Sequence, residues 1–198
     1  MAPDPIVLCT NNPGKAAELR TLLPPAIRVL TLADVGIHAD LPETGDTLEA
    51  NALQKARYVH DRCHLPCLAD DTGLEVDALN GRPGVHSARY AGPARDAVAN
   101  MRLLLTEMKG VDDRRARFRT VLALVSGTLE RCFAGQVEGR IIEEPRGAGG
   151  FGYDPVFVPQ GDSLTFAEMP LNAKNAVSHR ARALRKFLDH LATVHRAG

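Results

Sequence analysis

A short apolar run in the middle of the chain leads directly into two adjacent carboxylates. Residues 67–69 are followed by Asp70, Asp71, Thr72 and Gly73. Adjacent side chains on a strand point to opposite faces, so the two carboxylates either divide their roles or lie where the chain turns at Gly73. An ionised carboxylate that is removed from water needs a cation, a hydrogen-bond donor or a metal beside it. The pattern therefore predicts a strand that ends in a functional site, and a surface turn is the alternative.

The segment after these carboxylates is rich in turn-forming sequences. Such sequences recur between residues 80 and 93, and Arg89 and Tyr90 lie among them. Glycine and proline pairs of this kind interrupt regular structure. Irregular backbone that carries a cation and an aromatic ring is typical of a binding loop on a rigid scaffold.

Length and charge limit the classes of function. With 198 residues, the chain is predicted to form one α/β domain over residues 1–198 with a subsidiary lobe. The 24 Lys and Arg residues balance the 24 Asp and Glu residues, which argues against nucleic acid as a partner. There is no apolar run near the roughly 20 residues of a membrane span, and the first residues lack the basic region of a signal peptide. We therefore expect a cytoplasmic protein that acts on small molecules.

Cysteine spacing gives little sign of a structural metal or of disulfides. In a chain without an export signal, irregular spacing predicts reduced thiols. The cluster at residues 60–67 lacks the paired Cys-x-x-Cys of common zinc sites, so buried or idle side chains are favoured over a zinc site. The residues concerned are Cys9, Cys132 and the cluster His60, Cys63, His64 and Cys67.

Apolar spacing predicts strands that alternate with helices. Asp46 or Thr47 is the expected cap of the second helix, and Asp96 is the expected cap of the third. Antiparallel pairing within a long hairpin predicts a mixed sheet. The expected strands cover residues 5–9, 27–32, 118–125, 129–137 and 156–158, and the expected helices cover residues 15–23, 48–61, 97–109 and the region that begins near 175–178.

Two loops carry further candidates for binding. Residues 10–14 join a strand to a helix that begins with Lys15, and in this setting backbone N–H groups and a lysine bind phosphate. An ordinary turn is the alternative, since the loop lacks a Walker motif. Residues 147–154 place four glycines around Phe151 and Tyr153, which suits either close approach of a ligand or a hairpin with aromatic core residues.

Lysine and arginine side chains on two helices are also ambiguous. Lys55 lies close to the apolar stripe of its helix, so it either extends to solvent or reaches into a cleft. The amino end of the last helix offers Lys174, Ser178, His179 and Arg180. This basic helix end either contributes to a site or is solvated.

Five segments resemble, in the same order, the signature sequences of the inosine triphosphate pyrophosphatase family. They are residues 10–15, 43–47, 68–92, 151–155 and 178–180. Members of this family hydrolyse non-standard purine nucleotides such as ITP, dITP and XTP to the monophosphate and pyrophosphate. The resemblance implies an α/β fold in which a twisted mixed β-sheet with flanking helices forms two lobes around a central active-site cleft. It also implies a Mg²⁺-dependent enzyme and a homodimer.

The resemblance assigns a role to each matching residue. It makes Glu43 and Asp71 the ligands of Mg²⁺, and it makes Asp71 the general base that deprotonates the attacking water. The implied contacts with the triphosphate are Thr10, Asn11, Lys15, Lys55 and Lys174, and Thr72 is a further substrate contact. At the base, the resemblance makes Phe151 and Tyr153 stacking surfaces and Asp154 and Arg180 hydrogen-bonding groups. His179 lines the same pocket, and Gly152 belongs to the same segment.

Donor chemistry predicts the base preference within this resemblance. Arg180 carries only N–H donors, so it satisfies the 6-oxo group of inosine or xanthosine but meets the 6-amino group of adenine donor to donor. No feature of the sequence accounts for the rejection of GTP, which also carries a 6-oxo group. A non-catalytic nucleotide sensor and a pyrophosphatase with another base preference are the alternatives.

Overall fold

The structure is a computed structural model that describes residues 5–197, with side chains to residue 193. Residues 1–4, on which part of the signal-peptide expectation rests, lie outside this range. The described chain contains β1 (Ile6–Cys9), α1 (Pro13–Leu22), β2 (Val29–Leu30), α2 (Leu48–Cys63), β3 (Cys67–Val76), β4 (Pro83–Gly84), α3 (Ala97–Glu107), β5 (Arg115–Ser126), β6 (Leu129–Ile141), β7 (Phe157–Pro159), α4 (Leu171–Val177) and α5 (His179–Ala197).

The strands form one mixed sheet. Their order is β2-β1-β3-β5-β6-β7, and β4 pairs with β3 outside this order. β1 is parallel to β2 and to β3, with Val7 opposite Leu30 and Cys67. β4 and β7 are antiparallel to β3 and β6. The predicted α/β fold with a mixed sheet is confirmed.

The described chain divides into two compact units. The first comprises residues 5–71, 120–135 and 180–197, and the second comprises residues 72–119 and 136–179. Each unit has its own apolar core, around Leu68 and Phe187 in the first and around Phe118 and Phe166 in the second. The single domain with a subsidiary lobe stays a prediction.

Side chains at the helix starts confirm the capping analysis. Thr47 accepts a hydrogen bond from the backbone of Ala50 at the start of α2, and Asp96 accepts two from the first turn of α3. Such contacts satisfy backbone N–H groups that a first turn leaves without a helical partner. α1 begins at Pro13, before the predicted start at Lys15, because proline suits the first position of a helix.

The predicted last helix is two helices. α4 contains Lys174 and ends at Val177, and Ser178 is extended, with φ −65° and ψ 155°. α5 then begins at His179. Lys174 and Arg180 are six positions apart and therefore lie on two different helices, on either side of the break at Ser178. Among the described helices, none combines the length and the apolar composition that crossing a bilayer requires.

β3 continues through Gly73 to Val76, so the turn that was considered at Gly73 does not occur. Leu74 pairs with Gly84 of β4, and this brings the two backbones close together. A Cβ atom added at Gly73 meets the Gly84 carbonyl oxygen at 2.6 Å. Glycine is required here because of this close approach.

Replacement of Gly73 with alanine is expected to destabilise the protein by about 1–3 kcal/mol, as overpacking does, because β3 and β4 must separate. The free energy of unfolding in urea measures the loss. Gly110→Ala is the control, since a Cβ atom at Gly110 meets nothing within 4 Å and only its φ of +74° is strained. A smaller loss for Gly73→Ala than for Gly110→Ala would contradict this account.

Candidate active site

Asp70 and Asp71 lie on opposite faces of β3 within the first unit. They are 1 % and 5 % exposed, so each carboxylate needs a compensating group inside the protein. Asp71 meets Lys55, whereas Asp70 meets Lys15 and Arg180. The two carboxylates therefore divide their partners, which was one of the two predicted arrangements.

The Lys55 ammonium joins Asp71 to Glu43. Its Nζ lies 2.7 Å from Glu43 Oε1, 2.7 Å from Asp71 Oδ1 and 2.8 Å from the carbonyl oxygen of Asp70. An ammonium has three donors, and these contacts use all three. Lys55 belongs to the buried face of α2, so its side chain does not extend to solvent. We call Glu43, Lys55 and Asp71 the carboxylate–lysine cluster.

The oxygens of this cluster fit a hard divalent cation. Glu43 Oε1 and Asp71 Oδ1 lie 2.7 Å from one nitrogen atom, so they are separated by no more than twice that distance. Carboxylate oxygens are the ligands that Mg²⁺ prefers, commonly one or two from the protein with substrate phosphates beside them. Among the described residues, no group of three or more His, Cys, Asp and Glu side chains is arranged to hold a metal. At this point the described residues offer two carboxylates, those of Glu43 and Asp71.

Charge and burial make the two neighbouring aspartates unequal bases. Burial raises the pKa of the Asp71 carboxyl above its ordinary value, although Lys55 and Lys15 oppose this effect. Burial acts in the same direction on Asp70, but Arg180 and Lys15 outweigh it and hold the pKa of that carboxyl well below its usual range. Asp71 is therefore the better proton acceptor of the two.

Asp70 lies in a buried network of ion pairs. Its Oδ1 is 2.6 Å from Lys15 Nζ, and its Oδ2 is 2.7 Å from Arg180 Nε. The Arg180 guanidinium also pairs with Glu18. Lys15 and Glu18 belong to α1 and Arg180 to α5, so the network ties two helices to β3. We call these four residues the Asp70 network.

The loop between β1 and α1 positions other elements of the first unit. Thr10 Oγ1 accepts a hydrogen bond from the Asn12 backbone at 3.1 Å. Asn11 Oδ1 accepts one from the backbone of Leu41 at 3.2 Å, two residues before Glu43. The loop therefore supports the segment that carries a predicted metal ligand, and the sequence alone does not reveal this contact.

In the second unit, Asp154 organises the glycine-rich segment. Its Oδ2 accepts hydrogen bonds from the Phe151 backbone at 2.8 Å and from Lys174 Nζ at 2.6 Å. Lys174 Nζ also lies 5.1 Å from the centroid of the Phe151 ring, within the range of a cation–π contact. Asp154 and Lys174 are buried, and Phe151 is half-buried. We call Phe151, Asp154 and Lys174 the aromatic–lysine cluster.

Tyr153 and His179 belong to the core of the second unit. The Tyr153 hydroxyl donates a hydrogen bond to the Ser87 carbonyl oxygen at 2.9 Å, and the residue is 5 % exposed. The His179 ring stacks on Phe118 with 4.7 Å between centroids and 16° between planes. The Tyr153 ring is packed inside the unit, whereas Phe151 is half-buried, and the stacking role of Tyr153 stays a prediction. Gly152 separates the two rings and has φ +65°.

Lys174 and Arg180 lie in different surroundings. Lys174, expected at the phosphates, lies with Asp154 and Phe151. Arg180, expected at the base, is 1 % exposed in the first unit and pairs with Asp70 and Glu18. The sequence interpretation treated the end of the chain as one helix terminus, but the break at residue 178 sends the two side chains into different surroundings.

Thr72 and the cluster at residues 60–67 remain to be placed in the structure. Thr72 follows Asp71 in β3 and is half-buried. In the cluster considered for zinc, a His60 ring nitrogen lies 2.7 Å from the Leu65 carbonyl oxygen, and the sulfurs of Cys63 and Cys67 are 3.8 Å apart. All four cysteines are free thiols, as expected.

Several supporting residues escaped the sequence analysis. Glu18 lies three positions after Lys15 on α1, so helical spacing could have placed both on one face. Phe118 and Phe166, which pack against His179, resemble any other core residue in the sequence. Their contacts join distant positions, and no local signal reports them.

Comparisons with known proteins identify relatives of this chain. The profile of the Ham1 family matches residues 6–190. A dITP/XTP pyrophosphatase from Porphyromonas gingivalis is 51 % identical over 187 residues, which cover 94 % of this chain and 96 % of that protein. The structure of a HAM1 protein from Coxiella burnetii is 38 % identical, with a TM-score of 0.87 over 96 % of this chain and 100 % of that chain. The crystal structure of a nucleoside-triphosphatase / dITP/XTP pyrophosphatase from Mycobacterium abscessus is 44 % identical, with a TM-score of 0.75 over 92 % and 98 % of the two chains.

The buried pairs of Arg180 predict a large effect on stability. Arg180→Met leaves Asp70 and Glu18 without this counter-charge, and breaking a buried pair in this way costs about 3–5 kcal/mol. Arg182→Met is the control, because Arg182 is exposed on the same helix and exposed positions change stability by about 0.5 kcal/mol or less. Urea unfolding measures both variants, and equal stability of the two would contradict the Asp70 network.

Proposed function

This chain belongs to the Ham1 family, and we propose that it hydrolyses dITP, ITP and XTP to the nucleoside monophosphate and pyrophosphate. Removal of these nucleotides cleanses the nucleotide pool. The observation in the structure that carries the proposal is the carboxylate–lysine cluster. In it, the buried carboxylate of Asp71 and the half-buried carboxylate of Glu43 converge on one cationic position.

Asp71 is the general base in this proposal. Its burial favours the protonated carboxyl and so raises its basicity, which suits a group that accepts a proton from water. Lys55 holds one of its oxygens at 2.7 Å, and this contact fixes the orientation of the carboxylate. A non-catalytic sensor needs no such base, so the cluster favours an enzyme.

Membership of the Ham1 family implies a divalent metal cofactor, and Mg²⁺ is the ion that we propose. Glu43 and Asp71 would hold it, since their oxygens converge and hard oxygen ligands suit it. When bound, Mg²⁺ supplies positive charge to the polyphosphate and to the departing pyrophosphate. Lys55 keeps the two carboxylates together through its contacts with both.

Residues of the first unit supply charge and donors for the triphosphate. Lys15 lies at the start of α1, where backbone N–H groups and the positive end of the helix favour anions. Thr10 and Asn11 shape the loop before that helix. Lys55 contributes its charge from within the carboxylate–lysine cluster.

Residues of the second unit recognise the base. The half-buried ring of Phe151 provides the stacking surface, and Gly152 lets the backbone approach the base. Lys174 carries donors and no acceptor, so it satisfies a 6-oxo group and opposes the 6-amino group of adenine. Asp154 holds both Phe151 and Lys174, and His179, Tyr153 and Thr72 support the site. This assigns to Lys174 the selective role that the sequence analysis gave to Arg180.

The proposed function also suggests where in the cell the enzyme acts. A nucleotide-pool enzyme acts where the nucleotides are, so we propose the cytoplasm. The homodimer stays a prediction.

The function is tested by pyrophosphate release from a panel of dITP, XTP, dATP, dGTP and dCTP with Mg²⁺. Rapid turnover of dITP and XTP, with kcat/KM larger than for dATP, is expected. A site that hydrogen-bonds one group rejects a substrate that lacks it by about 10⁴ or more. Binding of these nucleotides without turnover would support the sensor instead, and equal turnover of all five would support another pyrophosphatase.

Asp71→Asn is expected to fold and to bind nucleotide but to lose most of its turnover. The amide keeps the shape of the side chain and removes both the base and a charged metal ligand. General-base catalysis alone contributes about 10²- to 10⁴-fold, so kcat for dITP should fall at least that much. Near wild-type kcat in this variant would show that Asp71 is not the base.

Lys174→Met is expected to reduce the preference for dITP over dATP. A hydrogen bond to a charged group contributes about 1.5–3 kcal/mol, so the ratio of the two kcat/KM values should shrink by roughly 10- to 100-fold. Lys15→Met is the matched control, since phosphates are common to all substrates and both kcat/KM values should fall together. If Lys174→Met lowered both substrates equally, Lys174 would be a phosphate contact.

A further inference from the structure

Asp70 has the geometry of a residue that acts through its neighbours. Its side chain is 0 % exposed, and its two oxygens face two different cations. Lys15 is paired with Oδ1, and Arg180 is paired with Oδ2. A metal ion bound to this carboxylate would have to displace a positive group that belongs to a packed helix.

The two cations of Asp70 differ in their access to solvent. The Lys15 side chain is 15 % exposed, whereas that of Arg180 is 1 % exposed. An ammonium has three donors, and the contact with Asp70 uses one of them. Lys15 therefore has both the access and the donor capacity to meet a phosphate while Asp70 still holds it.

Arg180 fixes the other side of the carboxylate. It pairs with Glu18, which lies on α1 with Lys15. Residues three positions apart on a helix are neighbours on one face. The Asp70 network thus begins and ends on the same face of α1 and passes through β3 and α5, and this closed arrangement restrains Asp70.

We propose that Asp70 is a positioning residue that holds the Lys15 ammonium where it meets a phosphate of the substrate, with Arg180 and Glu18 holding Asp70. The inference rests on the proposed function, which places Lys15 at the phosphates. A lysine has a flexible four-carbon stem, so a cation that is ordered before binding loses less entropy when it meets its ligand. Asp70 is then not a second metal ligand, and the adjacent aspartates serve the substrate by separate routes.

A double-mutant cycle tests this proposal without any need for turnover. Calorimetry measures the binding of inorganic tripolyphosphate, with saturating Mg²⁺, to wild type, Lys15→Met, Asp70→Asn and the double variant. Asp70→Asn is expected to weaken binding by about tenfold, the effect of one charged contact. If Asp70 acts through Lys15, the double variant binds as Lys15→Met does. Losses that multiply in the double variant, or unchanged binding in Asp70→Asn, would overturn the proposal.

The Mg²⁺ dependence of dITP hydrolysis distinguishes a positioning residue from a metal ligand. Loss of a positioning residue leaves the Mg²⁺ concentration that the enzyme requires unchanged. The Mg²⁺ concentration that gives half-maximal dITP hydrolysis should be the same in Asp70→Asn as in wild type, with KM raised more than kcat is lowered. A large increase in that concentration would make Asp70 a metal ligand and overturn the proposal. Failure of the wild type to hydrolyse dITP would instead overturn the proposed function, while the calorimetric cycle would still be measurable.

If Asp70→Asn does not fold, Asp70→Glu is the variant that tests the proposal. Glutamate keeps the negative charge between Lys15 and Arg180 and displaces the oxygens by one methylene. The expected result is weaker tripolyphosphate binding, with the cooperative unfolding transition in urea retained. Wild-type affinity in Asp70→Glu would show that the position of this carboxylate is unimportant to Lys15 and would overturn the proposal.

Discussion

Two carboxylates that follow one another along a buried strand emerge on opposite faces, and each must be compensated where it emerges. At Asp70 and Asp71 this requirement brings cations from three helices to one strand. Lys15 comes from α1, Lys55 from α2 and Arg180 from α5. The arrangement of the first unit around β3 therefore depends on charge compensation as well as on its apolar core.

Buried ion pairs of this kind are weak evidence of stability, because desolvation offsets much of their attraction. Their effect here is to fix positions. Lys55 contacts Glu43 and Asp71 at the same distance of 2.7 Å, so the two proposed metal ligands are held together by a protein cation. In the second unit Asp154 plays a similar part, because its carboxylate holds both Phe151 and Lys174. Each unit thus uses a buried carboxylate–lysine contact to arrange the groups assigned to the substrate.

The sequence predicted the mixed sheet and the cap at Asp96, because periodicity and capping are local signals. It named Thr47 as one of two candidate caps and the division between Asp70 and Asp71 as one of two arrangements. It did not show the surroundings of Arg180 and Lys174. Whether the chain continues as one helix or breaks at residue 178 decides their surroundings, and that depends on packing against distant residues. The role of Glu18 became clear only through its partner Arg180, 162 positions away in the chain.

In this proposal the neighbouring aspartates have separate roles, with Asp71 at the metal and Asp70 at a lysine. A crystal structure with Mn²⁺ and a non-hydrolysable α,β-imido analogue of dITP would test this division, because the anomalous signal locates the metal. We expect an anomalous peak within ligand distance of Glu43 and Asp71, with Lys15 still paired to Asp70. A peak bound to the Asp70 carboxylate, with Lys15 displaced from it, would show that Asp70 is a metal ligand and not the partner of Lys15.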